Sequence, residues 1–290
     1  MDKVKTHNER GFRAFLHNFS HHKLAVFCLC FFILEVLAIL ILPLVMDLDP
    51  NRITATLVDA APGPGHPLGG DSTGRDMLAR IIYGGQTSLF IGVLSTVVGV
   101  IIGIPLGLIA GYYRGKAEAF IMRLADIFMS FPHMILILVI VAVFGGSATK
   151  IAIVIGILSW TGTAKLLYGN VLSVRSREYV DAARVAGDSA GKIIFRTVLP
   201  NSISPLWCSL AFRMSSAMIM EAGLSFLGAG VQPPQASWGN IIQNATSLTV
   251  LTVRWWQWLP AALCLVITVL CINFIGEGIR DALDPKLRRR

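Results

Sequence analysis

Two ionisable side chains, Arg213 and Glu221, stand eight residues apart inside the apolar stretch 202–227, and Glu35 stands inside another, 24–46. A charge in a long apolar run is costly unless it lines a polar pathway, meets a partner, or lies at an interface. Eight helical residues span about 12 Å along the axis, so Arg213 and Glu221 do not pair with each other. They are candidates for a pathway or gate, for a polar contact between subunits, or for interfacial placement. Other chemistry is poorly supplied. Ser159, Ser225 and His133 sit in or near apolar runs, but no nucleophile stands in a Ser-His or Cys-His pattern. A phosphate-cradling loop needs GxxxxGK followed by Ser or Thr. The nearest segments, Gly111 to Lys116 and Gly187 to Lys192, are one residue short and lack the hydroxyl, so the chain carries no ATPase motif. The five cysteines lie inside apolar runs and the six histidines are scattered, giving neither a metal-ligand spacing nor a disulfide framework.

The elements that must hold these residues are helices in a bilayer. Of 290 residues, 54% are hydrophobic and 14% charged, with a mean hydropathy of +0.66, whereas soluble domains carry about 25% charged residues. Apolar runs long enough to cross a bilayer core of about 30 Å predict about six transmembrane helices, at 24–46, 87–110, 119–144, 151–168, 202–227 and 256–275, in an all-α polytopic fold. Of the 25 Lys and Arg, nineteen fall in the two tails and in the second and fourth loops. Five (Arg52, Arg75, Arg80, Lys150 and Arg254) fall in the opposite loops. This asymmetry predicts that both termini are cytoplasmic and accounts for the net charge of +8 without nucleic acid.

The chain divides accordingly into a cytoplasmic tail, 1–23; a first helix, 24–46, read as an uncleaved anchor; an extracytoplasmic loop, 47–86; a core, 87–280; and a basic cytoplasmic tail, 281–290. Phe12, Phe15, Leu16 and Phe19 recur at helical spacing within the first tail and predict an amphipathic helix lying against membrane lipid. The segment 222–255 has room for short re-entrant or surface helices.

Gly99, Gly103, Gly107 and Gly111 recur every fourth residue in the second span, one helix face without side chains. Such a face lets another backbone approach closely, which matters where no hydrophobic force drives helices together. The cytoplasmic loop 172–200 predicts two short helices: one ending at Gly187, a second capped by Asp188, with Pro200 restarting the chain. Tyr179, Ala183 and Ala186 would line one side of the first, an apolar strip suited to another protein's groove.

That loop carries a resemblance. Asp181-Ala182-Ala183, then Gly187, then Leu199-Pro200 resemble the cytoplasmic EAA loop of binding-protein-dependent ABC importer permeases, with Asp181 in place of the usual Glu and Thr197 in place of Ile. His66-Pro67-Leu68-Gly69-Gly70-Asp71-Ser72-Thr73-Gly74-Arg75-Asp76 is similar to the segment before the second span in the dipeptide, oligopeptide and nickel permeases, with Gly70 where Thr is usual. Asp126 to Pro132, Glu221 to Gly228, Trp238-Gly239 and Asp281 to Pro285 resemble further signatures of the "C" subunits. The resemblance implies a type I importer permease in the cell inner membrane that pairs with a paralogous permease. It further implies that each permease docks one of two ATP-binding subunits, which use ATP and Mg, and that an extracytoplasmic solute-binding protein delivers the solute. No cofactor is expected on this chain itself. Tyr179, Asp181, Ala182, Ala183, Gly187, Leu199 and Pro200 are the expected ATPase-coupling residues. The solute is expected to be a di- or oligopeptide, with nickel, a metal chelate or an opine as alternatives. An ion-coupled secondary carrier using Glu35 and Glu221 is the rival from another class; no inverted repeat supports it.

Overall fold

The computed structural model describes residues 15–283. Phe12 and the expected basic residues at 3–13 and 286–290 lie outside them. Eight helices carry the architecture: α1 Lys23–Val45, α2 Met77–Tyr113, α3 Gly115–Ser130, α4 His133–Phe144, α5 Ala148–Arg175, α6 Glu178–Val185, α7 Ser204–Phe226 and α8 Leu259–Leu283. Shorter helical pieces fill the connections, and residues 15–21 are helical just before α1.

The ends of the helices follow from local chemistry. Asp76 caps α2 by accepting the Ala79 amide at 3.0 Å, and Ser147 caps α5, each relieving an N–H that the helix cannot satisfy. Pro132 separates α3 from α4. A residue before proline is driven out of the helical region, and Phe131 is extended, with φ −93° and ψ 140°. The two helices meet at 81°, so the single span expected at 119–144 is broken.

The expected second span also needs correction. The helix starts at Met77, ten residues before the predicted boundary at 87, so the loop expected at 47–86 is shorter. Arg80 and Gly84-Gly85 hide its first turns from hydropathy, yet Arg80 is buried, with its guanidinium 3.7 Å from Asp71. Four helices (α1, α2, α5 and α8) are long and apolar enough to cross a membrane, or five if α3 and α4 form one bent span. The expected count of six is reached only with α7, which has the length, 23 residues, but carries Arg213, Glu221 and five serines.

The α2–α5 pair forms the most extensive interface, and the glycine stripe is its seam. A Cβ on Gly99 would stand 2.5 Å from Ser159 Oγ, on Gly103 2.5 Å from Thr163 Cβ, on Gly107 2.6 Å from the Ala164 carbonyl, and on Gly111 2.6 Å from Val171 Cγ1. The contacts advance in the same direction on both helices, so α2 and α5 run parallel. Gly156 completes the fit from the α5 side, where a Cβ would meet Val98 at 2.6 Å.

This alignment gives the molecule two ends. The C-termini of α2 and α5, all of α6, and the start of α7 share one end, where Asn170 donates to the Ser202 carbonyl at 3.3 Å. His22 and Asp281, 3.5 Å apart, place the start of α1 beside the end of α8. The start of α8 lies with the start of α2 at the other end, where Gln257 donates to the Gly70 carbonyl at 3.0 Å. Residues 22 and 281 therefore lie at the α6 end.

Candidate functional site

Midway between these ends, α2, α4, α5 and α7 enclose a half-open cavity of about 380 Å³. Ile137, Ile155, Leu158 and Phe212 supply apolar wall, and Ser95, Thr96, Ser159, Ser209 and Ser216 supply hydroxyls. Arg213 enters from the middle of α7, donating from Nη1 to the Ser159 carbonyl at 3.1 Å. Its Nε is enclosed and unpaired, as is Nε2 of His133 at the first turn of α4. Among the described residues no Asp or Glu lines the cavity, so Arg213 is its one fixed charge. Proline-enforced separation of α3 from α4 brings His133 here; a straight helix through 115–144 could not turn into the same space.

Glu221 lies elsewhere. It is fully buried nearer the Gln257 end, where its Oε1 accepts the hydroxyls of Ser225 at 2.7 Å and Ser237 at 2.8 Å, and its Oε2 that of Ser88 at 3.4 Å. Ser88 also accepts the Trp238 amide at 3.1 Å, and the Trp238 indole donates to the Ile81 carbonyl at 2.9 Å. The carboxyl thus ties α2, α7 and the short helix Trp238–Ile242 together inside one chain, which excludes the expected inter-subunit contact for this residue. It also accounts for two motifs at once: a Cβ on Gly239 would stand 2.7 Å from Ala222 Cα and 3.0 Å from Glu221 Oε1. Glu35 likewise serves packing, accepting the Thr268 hydroxyl of α8 at 2.6 Å. Sequence reasoning singled out the two acids but had no signal for their serine and threonine partners, which are up to 233 residues distant.

The loop before α2 is organised around Asp71. Its carboxylate accepts the Thr73 amide and hydroxyl at 2.8 and 2.7 Å, the Arg75 amide at 2.9 Å and Arg75 Nε at 2.7 Å. Burial pushes its pKa up, but these hydrogen bonds and the Arg75 charge outweigh that and hold it below its ordinary value. Asp59 extends the knot to residues 254–257, accepting Gln257 at 2.9 Å and pairing with Arg254 at 2.8 Å. Glycine at position 70 is required here, because a Cβ would fall 1.9 Å from the Leu57 carbonyl.

At the opposite end, α6 closes in a Schellman turn. The Gly187 amide reaches the Arg184 carbonyl at 3.0 Å and the Asp188 amide reaches Ala183 at 3.1 Å, with Gly187 at φ +79°. The expected strip is rearranged. Val180 is fully buried and Ala183 half-buried against Tyr112, Leu167 and Val171, so Ala183 faces its own chain. Tyr179, Ala182 and Ala186 are exposed, as are Val185 at 90% and Phe195 at 67%. Asp181 pairs with Arg184 at 2.7 Å on the surface. Ser189, not Asp188, caps the next helix, while Asp188 pairs with Lys192. Pro200 does not restart the chain. The backbone stays helical from Ala190 to Ser202 through a π turn at Ile194–Val198, which accommodates the N–H that proline lacks. Leu199 packs against the Val180 cluster; Pro200 is exposed.

Known proteins are similar to this chain over most of its length. The di/tripeptide transport system permease protein DppC of Pseudomonas aeruginosa is 37% identical over 282 residues, covering 95% of this chain and 92% of that protein. The glutathione transport system permease protein GsiD of Pectobacterium atrosepticum is 38% identical over 231 residues, covering 80% and 76%. Among solved structures, the MetNI methionine ABC transporter in an inward-facing conformation superposes with a TM-score of 0.59 at 20% identity, over 72% of this chain and 98% of that one; that likeness concerns the fold. Residues 103–289 match the family described as "Binding-protein-dependent transport system inner membrane component". The cavity, the α6 end and these relationships lead to one assignment: the chain belongs to that family and is a multi-pass inner-membrane permease subunit of an ABC importer.

Proposed function

We propose that this permease carries di- or oligopeptides, that its cavity is one half of the pathway, and that α6 is where a separate ATPase docks. The observation that carries the reading is the joint placement of cavity and α6 on the same two helices. Leu167 and Val171 of α5 and Tyr112 of α2 pack against Val180, while Ser159 of α5 and Ser95 of α2, further along, line the cavity. A push on α6 therefore moves the cavity wall as a rigid body.

In this reading both termini are cytoplasmic, α7 is the sixth crossing, and a paralogous permease closes the open side of the cavity. Two ATP-binding subunits supply ATP and Mg chemistry, and a solute-binding protein delivers peptide at the Asp71 end. Exposed Tyr179, Ala182, Val185 and Ala186 form the docking face, and Gly187 fixes its boundary. The names of the relatives support the peptide assignment, and nineteen basic residues on one side of the predicted spans support the orientation.

The test is uptake by the complete complex in proteoliposomes. Transport of a radiolabelled dipeptide that needs both ATP inside and binding protein outside is expected. Peptide flux driven by an ion gradient without ATP would overturn it.

A further inference from the structure

The cavity has a polarity of its own. Each of its serine and threonine hydroxyls with a resolved bond donates back to its own helix: Ser95 to Ile91, Thr96 to Gly92, Ser159 to Gly156, Ser209 to Leu206 and Ser216 to Phe212, at 2.6–3.0 Å. Their protons are committed, so what they offer the cavity is oxygen lone pairs, acceptors for an N–H group. The cavity has one charged donor among the described residues. Arg213 is tethered at one nitrogen by the Ser159 carbonyl, its Nε is enclosed and unpaired, and no acid among the described residues lining the cavity neutralises it. Gly162 makes room for the guanidinium, since a Cβ there would stand 3.1 Å from Nη2. His133 also lines the cavity, with its Nε2 enclosed and unpaired.

A fixed cation, acceptor oxygens and an apolar wall in one space suit a solute with a carboxylate, amide or ammonium N–H groups, and apolar side chains. Guanidinium forks hold carboxylates in two parallel hydrogen bonds, and the interaction strengthens away from bulk water. We propose that Arg213 is a carboxylate-binding station halfway along the pathway, through which a peptide passes acid group first or last. The proposal rests on the peptide-permease reading above and adds to it a residue that discriminates between solutes after the binding protein has released them.

The experiment compares wild type, Arg213→Gln and Arg213→Lys in the reconstituted complex, with initial uptake normalised to assembled complex. Three probes are used: alanyl-phenylalanine, its C-terminal amide, and aspartyl-phenylalanine amide, whose only carboxylate is on a side chain. The binding protein is the same throughout, so its own preferences cancel between variants. Arg213→Gln is expected to lose about tenfold of alanyl-phenylalanine uptake, the scale of one charge-assisted contact. Uptake of the plain amide should fall far less, and Arg213→Lys should restore most of the acid uptake. A parallel loss for aspartyl-phenylalanine amide assigns the station to any carboxylate, and its absence to the C-terminal one; either supports the proposal. Should Arg213→Gln fail to assemble, Gly162→Ala, which crowds the guanidinium and keeps its charge, is expected to lower the acid-to-amide ratio in the same direction. Equal losses for acid and plain amide, as expected if Arg213 instead meets a carboxylate of the paralogous subunit, would overturn the proposal, as would wild-type acid uptake by Arg213→Gln. A wild-type complex that imports none of the peptides overturns the peptide reading itself, and that result is distinct from either.

Discussion

Ser237 donates its hydroxyl to Glu221 at 2.8 Å across sixteen residues of chain and accepts the Asn240 amide at 3.1 Å. One serine thus caps the short helix Trp238–Ile242 and fastens it to α7. With Ser88 and Ser225 it surrounds a carboxyl that has no counter-ion among the described residues. Glu221→Ala leaves three buried hydroxyls without their acceptor and is expected to cost about 1–3 kcal/mol. Glu221→Gln keeps one carbonyl acceptor and should lose less. Thermal unfolding of the detergent-solubilised complex measures both, and an unchanged melting temperature for Glu221→Ala would contradict the role given to the carboxyl.

Seam glycines and open glycines should respond differently to the same substitution. Gly103→Ala pushes a methyl to 2.5 Å from Thr163 Cβ and is expected to destabilise by about 1–3 kcal/mol, the usual range for overpacking. Gly169, on α5, has nothing within 4 Å of where its Cβ would stand, so Gly169→Ala should be neutral or slightly stabilising. Equal melting temperatures for the two variants would remove the seam.

The coupling face can be tested without disturbing the fold. Val185→Arg alters a residue that is 90% exposed and should leave insertion and stability intact while reducing recovery of the ATPase subunits with the purified permease. Ala183→Arg would also force a charge against Leu167 and Val171 and is expected to lower the yield of folded protein as well. Normal ATPase recovery and normal uptake with Val185→Arg would place docking elsewhere.

Gly187→Ala sets a side chain at φ +79°, at a cost of about 1 kcal/mol, and frays the end of α6. Gly187→Pro should be worse, because proline cannot reach positive φ and gives up the N–H that bonds Arg184. The expected readout is ATP hydrolysis that continues while peptide uptake falls. Coupling at wild-type efficiency in Gly187→Pro would count against a rigid α6.

Asp71 carries a pH signature of known sign. Its folded pKa lies below the ordinary 3.8, so its contribution to stability is fully present above that value and is lost as pH falls through the folded pKa. The melting-temperature gap between wild type and Asp71→Asn should be constant from about pH 5 to pH 8 and shrink in stronger acid. A gap that persists unchanged to pH 2 would show that charge on Asp71 is not what holds the loop.

Much of this was legible in sequence because it is periodic or local. The four glycines predict a seam from their spacing alone, and Gly187 ends α6 as its missing Cβ suggests. Hydropathy failed where a charge is compensated from afar: Arg80 reads as loop, but Asp71, with the Pro50 carbonyl at 3.4 Å, lets it sit in the first turn of α2. Ser130-Phe131-Pro132 carried a readable break, since proline restricts the residue before it, yet the continuous apolar run concealed it. The orientation of α6 was unreadable in another way. Spacing alone puts Tyr179, Ala183 and Ala186 on one side, but only Ala183 meets the chain's own core, in a cluster with Tyr112 more than sixty residues upstream, while Tyr179 and Ala186 stay exposed. Of the cavity, only Arg213 stood out in sequence as a pathway candidate, because the hydroxyls come from three helices, α2, α5 and α7, that converge only in three dimensions.

The glycine seam has a mechanical consequence. Side chains at an ordinary interface can change rotamer and absorb a displacement, whereas α2 and α5 touch along much of their length with almost no side chain between them. α5 thereby stiffens the C-terminal part of α2, a helix of 37 residues and about 55 Å, against bending and slip. A motion imposed beside Tyr112 then reaches Met77 and the Asp71 knot nearly undiminished, so events at the two faces of the membrane share a common clock.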